Sequence, residues 1–243
     1  MDKRLDALVC ALLDVSREYA KELILAGKVK INGKPQTKAG AKFPVDTGVC
    51  VDGQAPQFVS RGGVKLTHAL QVFKLDLQGL LCMDIGASTG GFTDCMLQHG
   101  AKAVFAVENG RGQMSNKMLA NPRVISREGL DIRDLLADDM PFAPQFVAAD
   151  LSFISITLIL PKIAELLAVG GKGVLLVKPQ FEAGPGKVDK RGVIKDPKDR
   201  LAAIKKVQQA ANDAGLVPKN LETSPITGQN GNEEYLLLFE KEK

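Results

Sequence analysis

The 243-residue chain has no tryptophan, two tyrosines and an aromatic content of 5%. A surface of interleaved rings for sugars or for stacking single strands is not expected. Histidine is scarce, with His68 far from His99, and the four cysteines, Cys10, Cys50, Cys82 and Cys95, form no CxxC pair. The usual zinc spacings are excluded, so no metal site is expected. All four thiols are expected to be packing residues in a reducing compartment. No apolar run approaches the ~18 residues of a membrane helix. The opening MDKRLDALVCALLDVSREYA carries Asp2, Asp6 and Asp14 where a signal peptide would be uninterruptedly apolar. A cytoplasmic location is the expectation.

What remains is ordinary globular composition, 45% hydrophobic and 25% charged, with 32 basic and 28 acidic side chains and a net charge of +4. The length allows one large domain, or a medium one with a small companion. Residues 1–58 read as the small unit. Leu5, Leu8, Val9, Leu12 and Leu13 recur at helical spacing. Ser16 suits an N-cap for a second helix that Gly27 would stop. VKINGK and VCVDG read as short strands, the first entering an Asn32-Gly33 turn. Residues 55–63 read as a linker, and 59–243 as the large domain. From residue 80, apolar runs (LLCMDIG, KAVFAVEN, VISREG, FVAADLS, GVLLVKP, EYLLLFEK) alternate with helical stretches at 91–99, 155–167 and 197–214. That pattern predicts a doubly wound, mostly parallel α/β sheet.

The sharpest local signal is MDIGASTGGFTD (83–94), a strand, a glycine-rich turn and a helix start. Glycines let the backbone approach a ligand, and the helix start offers free N–H groups. It is neither a P-loop nor GxGxxG. Glu108 ends the next strand about 20 residues beyond Gly86, where ribose hydroxyls lie in nucleotide-type sites. The combination suits S-adenosylmethionine better than NAD. The cofactor candidates here are Asp84, Gly86, Ser88, Thr89, Gly90, Gly91, Phe92 and Thr93, with Glu108 beyond. A second signal is charge at strand ends, where an open sheet binds ligands. Asp150 follows the fourth strand, Lys178 the fifth, and Glu234 starts the last, while Lys65 lies just before the sheet. Each alone could be a solvated strand end.

Two basic regions stand out. Residues 1–43 hold nine basic and five acidic side chains. Arg4, Arg17, Lys21, Lys28, Lys30 and Lys34 belong to it, and Arg61 lies near its end. Residues 184–206 hold eight basic against three acidic, including Lys187, Lys190 and Arg191, in a glycine-rich stretch that reads as a basic flap. RNA phosphates would suit both, and so would plain solvated faces.

The motifs SREYAKELILAGKVKING, FVSRGGVKL, DIGASTGGFTD, DLSFIS, VKPQFEAG and GNEEYLL together resemble the TlyA family. The resemblance implies a small α+β S4-type RNA-binding domain before a Rossmann-like class I, FtsJ-like methyltransferase domain. It implies 2′-O-ribose methylation of ribosomal RNA with S-adenosylmethionine, at cytidines of the large subunit and, in some members, of the small subunit. The family's Lys-Asp-Lys-Glu tetrad would fall on Lys65, Asp150, Lys178 and Glu234. Asp131 would sit near the adenine, where relatives commonly carry Asn, and Asp150 would border the cofactor. Three other readings compete: a nucleotide-dependent dehydrogenase, a non-catalytic RNA-binding assembly factor, and a haemolysin-like membrane-damaging protein.

Overall fold

A computed structural model describes residues 2–52, 57–184 and 186–242. Ala55 and Pro56, the start of the expected linker, lie outside the described residues. The small unit opens with β1 (Asp2–Arg4) and α1 (Leu5–Leu13). Asp14 ends α1 in the left-handed region at φ 51°. Ser16 caps α2 (Arg17–Leu25) by accepting from Tyr19 N at 3.2 Å. β2 (Val29–Ile31) passes through Asn32 and Gly33, both at positive φ, into β3 (Lys34–Gln36), as a tight hairpin requires. β4 (Lys42–Pro44) pairs with β1, and β5 (Val49–Val51) with β2. Leu5, Val9, Ala20, Ile24 and Val29 form the shared core. β1, β3 and β4 were not legible, because DKR, KPQ and KFP are charged or carry a proline, unlike the β-branched VKI and VCV of β2 and β5.

The large unit begins with α3 (Gly62–Val72), then β6 (Leu81–Ile85), α4 (Gly91–Gln98), β7 (Ala103–Glu108) and α5 (Asn116–Leu119). β8 (Val124–Glu128), β9 (Phe146–Ala149), α6 (Leu160–Leu166), β10 (Lys172–Val177) and α7 (Pro179–Glu182) follow. α8 (Pro197–Asp213), β11 (Leu216–Thr223) and β12 (Tyr235–Lys241) close the chain. The sheet order is β11-β12-β10-β9-β6-β7-β8. β10, β9, β6, β7 and β8 run parallel, and β12 and β11 add antiparallel. Order reverses between β6 and β9, so a crevice opens beyond their carboxyl ends. The sheet separates two apolar clusters, one around Leu66, Phe92 and Met96, the other around Phe105, Ile159 and Phe239.

Four expectations need correction. The irregular segment stops at Arg61, because Gly62 and Gly63 start α3. A Cβ on Gly63 would overlap the Phe58 ring, so this glycine serves close packing rather than a turn. Lys65 therefore stands on a helix that precedes the first strand of the sheet. The helix expected over 155–167 is a 3-10 turn (Ile156–Ile159) followed by α6, with Pro161 in the first turn where a missing N–H costs nothing. β11 was missed because Pro218 interrupts it, and it is an edge strand with an irregular register at that proline. Cys82 and Cys95 are buried as expected, but Cys50 is exposed on β5.

Candidate active site

The glycine-rich turn leaves β6 at Ile85 and enters α4 at Gly91. Gly86 N and Ala87 N donate to Val107 O, tying the turn to β7. Gly86 is at φ 78°, and a Cβ there would collide with the Asp150 carbonyl oxygen. Glycine thus lets the turn lie directly against the Asp150 segment. Asp84 is fully buried, and its Oδ2 accepts from Thr93 N at 2.8 Å and Thr93 Oγ1 at 2.6 Å. Its Oδ1 is buried with no hydrogen-bond partner among the described residues. Burial raises the Asp84 carboxyl to about 7.

Two cavities meet at this turn. One of about 150 Å³ is walled by Lys65, Asp84, Gly86, Ser88, Thr89, Gly91, Phe92 and Asp150. The other, about 360 Å³, is walled by Gly86, Ser88, Glu108, Asp131, Ile132, Asp150, Ser152 and Phe153. Gly86, Ser88 and Asp150 border both, so the two form one groove along the crevice. Glu108 accepts from Ser88 N at 2.9 Å and Gly110 N at 2.7 Å. Gly90 and Thr93 line neither cavity: Gly90 lies under Met114 and Met118, and Thr93 faces Asp84. Asp131 lines the larger cavity while held by a fork from Arg133 at 2.9 and 2.6 Å, and that pairing lowers its pKa. The groove fits an elongated cofactor with one cationic end. An orphaned carboxylate oxygen and backbone-lined glycines stand at the smaller cavity, and a second carboxylate, Glu108, stands in the larger.

The four candidate charges meet as two ion pairs. Lys65 Nζ lies 2.5 Å from Glu234 Oε2, and Lys178 Nζ lies 2.6 Å from Asp150 Oδ1. Lys65, Lys178 and Glu234 are buried. Lys178 also donates to Ser152 Oγ at 2.9 Å. Since Lys65 and Asp150 share the smaller cavity, the pairs flank it. Residue-by-residue reading missed Ser152, Ser60 and Ser16. The DLSFIS motif was the only available signal for Ser152. Ser16 comes from the small unit, which reaches the cavity because Ser16 N donates to Val59 O at 3.0 Å. Asp14 also accepts from Asn116 N at 3.1 Å and Lys117 N at 2.6 Å. Phe153 is 81% exposed at the mouth of the larger cavity, at φ 69°, with the Phe181 ring 5.5 Å away.

The basic candidates separate into tied and untied groups. Arg4 and Arg17 both converge on buried Asp6, at 2.8 and 3.4 Å. Lys30 pairs with Asp52, Arg61 with Glu22, and Lys187 with Asp199. Lys21 shares α2 with Arg17, one turn on. Lys28, Lys34 and Lys190 are exposed and make no ion pair among the described residues. Arg191 stands in a turn closed by Asp189, which accepts from Arg191 N and Val193 N. The basic stretch is anchored rather than a free flap. Asn232 accepts from Ile194 N at 3.3 Å and donates to Gly192 O at 2.9 Å, joining it to the loop that carries Glu234.

Comparison with known proteins agrees with this geometry. The family model for FtsJ-like methyltransferases matches residues 58–241, and the S4 domain model matches residues 3–49. YqxC of Bacillus subtilis is 42% identical over 97% of this chain and 84% of its own. A 16S/23S rRNA (cytidine-2′-O)-methyltransferase, TlyA of Mycobacterium tuberculosis, is 39% identical over 96% of this chain and 88% of its own. The solved structure of a hemolysin-named protein from Streptococcus thermophilus is 41% identical and covers 99% of this chain and 88% of its own, with a TM-score of 0.81. No helix among the described residues is long and apolar enough to cross a membrane.

Proposed function

The chain belongs to the FtsJ-like methyltransferase family, and from that premise we propose that it methylates ribose 2′-hydroxyls of ribosomal RNA using S-adenosylmethionine. A cytidine of large-subunit RNA is the first target, with small-subunit RNA a second candidate because one relative carries both in its name. The cell compartment is the cytoplasm, where that RNA is made and assembled. The observation that carries the reading is the pair of ion pairs, Lys65–Glu234 and Lys178–Asp150, flanking a cavity beside the glycine turn.

When bound, the cofactor supplies an electrophilic methyl group on a sulfonium. Asp84, Gly86, Ser88, Thr89, Gly91 and Phe92 would hold its amino-acid end, and Glu108 and Asp131 its adenosine end. Glu108 would exchange backbone donors for ribose hydroxyls. The RNA hydroxyl needs in-line placement and loss of its proton as the oxygen–carbon bond forms. An ammonium has three donors. Lys178 commits one of them to Ser152 and stands in ion-pair contact with Asp150. Once it has given a proton to solvent, the neutral amine turns its lone pair to the hydroxyl and takes the hydroxyl proton as the oxygen–carbon bond forms, becoming the ammonium that Asp150 stabilises. Glu234 fixes Lys65 at the opposite wall. Phe153 offers its exposed ring to the target base, since a ribose reaches such a cleft only when its base leaves the stack. Residues 1–58 supply RNA affinity and register through phosphate contacts, and 59–243 supply the chemistry.

The test is methyl transfer from labelled S-adenosylmethionine to isolated ribosomal subunits, with wild type beside Lys178→Ala, followed by mapping of the labelled nucleotide. Label on one ribose, lost in the variant, supports the reading. Cofactor binding without label on either subunit would replace it with a non-catalytic assembly role.

A further inference from the structure

The motifs DLSFIS and VKPQFEAG contain more than Asp150 and Lys178 require. Their unexplained part is Glu182. It closes α7, is 3% exposed, and forms no ion pair among the described residues. Lys206 Nζ reaches its main-chain oxygen at 3.0 Å instead. The buried carboxylate accepts from Ser155 Oγ at 2.5 Å and from Ile156 N at 2.7 Å. Both of its oxygens are therefore committed to the loop that follows β9. A buried charge without a counter-ion persists only where its hydrogen bonds are satisfied, so this is a built contact.

That same loop carries the two groups that hold Lys178. Asp150 and Ser152 reach Lys178 Nζ from one end of it, and Ser155 and Ile156 reach Glu182 from the other. Lys178 and Glu182 are themselves one turn apart on a single segment. The result is a closed ring of two segments bonded at both ends, and the Phe153–Phe181 contact lies inside it. A lysine held only by its flexible stem would sample many positions. Pinning the loop to α7 removes that freedom.

We infer that Glu182 is a positioning residue for methyl transfer, locking the Asp150–Ser152 segment against the segment that presents Lys178. This rests on the role given to Lys178 above. The lock is geometric rather than ionic. A glutamine can make the same two contacts, with Oε1 accepting from Ile156 N and Nε2 donating to Ser155 Oγ.

The experiment measures kcat, KM for ribosomal subunits and cofactor Kd for wild type, Lys178→Ala, Glu182→Ala and Glu182→Gln. Glu182→Ala should lower kcat about 10²-fold, the scale of a ~1 Å misplacement of reacting groups. Its KM and cofactor Kd should stay within about threefold, and Glu182→Gln should recover kcat to within about fivefold of wild type. A merely structural defect would move Kd and KM as well and would not be rescued selectively. A normal kcat in Glu182→Ala, a loss confined to Kd or KM, or a glutamine variant no better than alanine would each overturn the inference. If Glu182→Ala does not fold, Ser155→Ala cuts the contact from the other side. There a roughly tenfold fall in kcat at unchanged Kd is expected, and an unchanged kcat overturns the idea. Wild type or Lys178→Ala serves as the control on the underlying reading. An inactive wild type, or a fully active Lys178→Ala, would sink the proposed function itself, whatever Glu182 does.

Discussion

Lys65 and Glu234 lie 169 residues apart in the chain and meet at 2.5 Å, with side chains only 10% and 3% exposed. One comes from the first helix of the large unit and the other from the loop entering its last strand, so the pair staples the two ends of that unit. Removing one partner of a buried pair strands the other charge, at a cost of about 3–5 kcal/mol. Glu234→Ala should therefore lose roughly that much stability in urea titrations as well as activity. The double variant Lys65→Met/Glu234→Leu should recover most of the stability and none of the transfer. If the double variant were as unstable as the single one, desolvation of a lone lysine would not be the cause.

Lys178→Arg separates charge from chemistry. A guanidinium keeps the positive charge but cannot give up a proton, and its planar fork does not match the Asp150 and Ser152 acceptors that a compact ammonium reaches. Transfer should fall at least ~10²-fold, with cofactor Kd within about threefold. Substantial activity in this variant would mean that the residue acts by charge alone.

Asp84 makes stability depend on pH in a definite direction. Its carboxyl is raised by burial from 3.8 to about 7. Between those values the folded chain keeps a proton that the unfolded chain has released. The contribution is fully present below the lower value, falls as pH rises through the window, and changes no further above it. Asp84→Asn should flatten that part of the cofactor-free chain's stability profile, compared by urea titration at pH 5 and pH 8. A cationic ligand beside Asp84 would favour its ionised form. Cofactor binding near pH 6.5 should accordingly release protons in wild type and not in Asp84→Asn, as read by titration calorimetry in buffers of different ionisation enthalpy.

Phe153 sets activity against stability. Its φ of 69° is costly for a side chain with a Cβ, by about 1–2 kcal/mol, and its ring is too exposed to regain much by burial. Phe153→Gly should leave the chain as stable as wild type or more so. It should lower kcat/KM on ribosomal subunits by roughly 5- to 150-fold, the range of ~1–3 kcal/mol measured for base–aromatic stacking. Phe153→Ala keeps a Cβ at the same φ, so it should lose activity without the gain in stability. Unchanged kcat/KM in both variants would remove Phe153 from the substrate path.

The parallel strands and the glycine turn were legible because long apolar runs and a strand–glycine–helix succession leave few alternatives. α3 was not. It starts with Gly62 and Gly63, poor helix formers of which Gly63 is kept there by contact with the Phe58 ring, a constraint that exists only in three dimensions. Lys65 consequently looked like a surface charge until the helix carried it under Glu234. Asp150 was expected to meet Lys178 and Glu234 to orient Lys65, and both pairs form, but the depth at which Lys65 and Glu234 are buried depends on the unread helix and could not be foreseen. Ser152 and Glu182 left still less trace, since a serine and a glutamate after a strand are ordinary surface residues until their hydrogen bonds are seen.

Lys28 and Lys34 decide how the small unit holds RNA. Both are exposed and unpaired with any carboxylate among the described residues, whereas Arg4, Arg17 and Lys30 already spend charge on Asp6 and Asp52. Phosphate contact releases counterions, and each lost contact lowers the slope of log K against log salt by about 1. Lys28→Ala/Lys34→Ala should therefore weaken binding to ribosomal subunits and flatten its salt dependence by up to ~2. kcat at saturating substrate should be nearly unchanged, because neither residue approaches the groove. Arg4→Ala should behave differently. It withdraws a partner from buried Asp6 and should cost stability before it costs affinity. A salt slope equal to wild type in the double lysine variant would move the phosphate contacts to the anchored turn at Lys190 and Arg191.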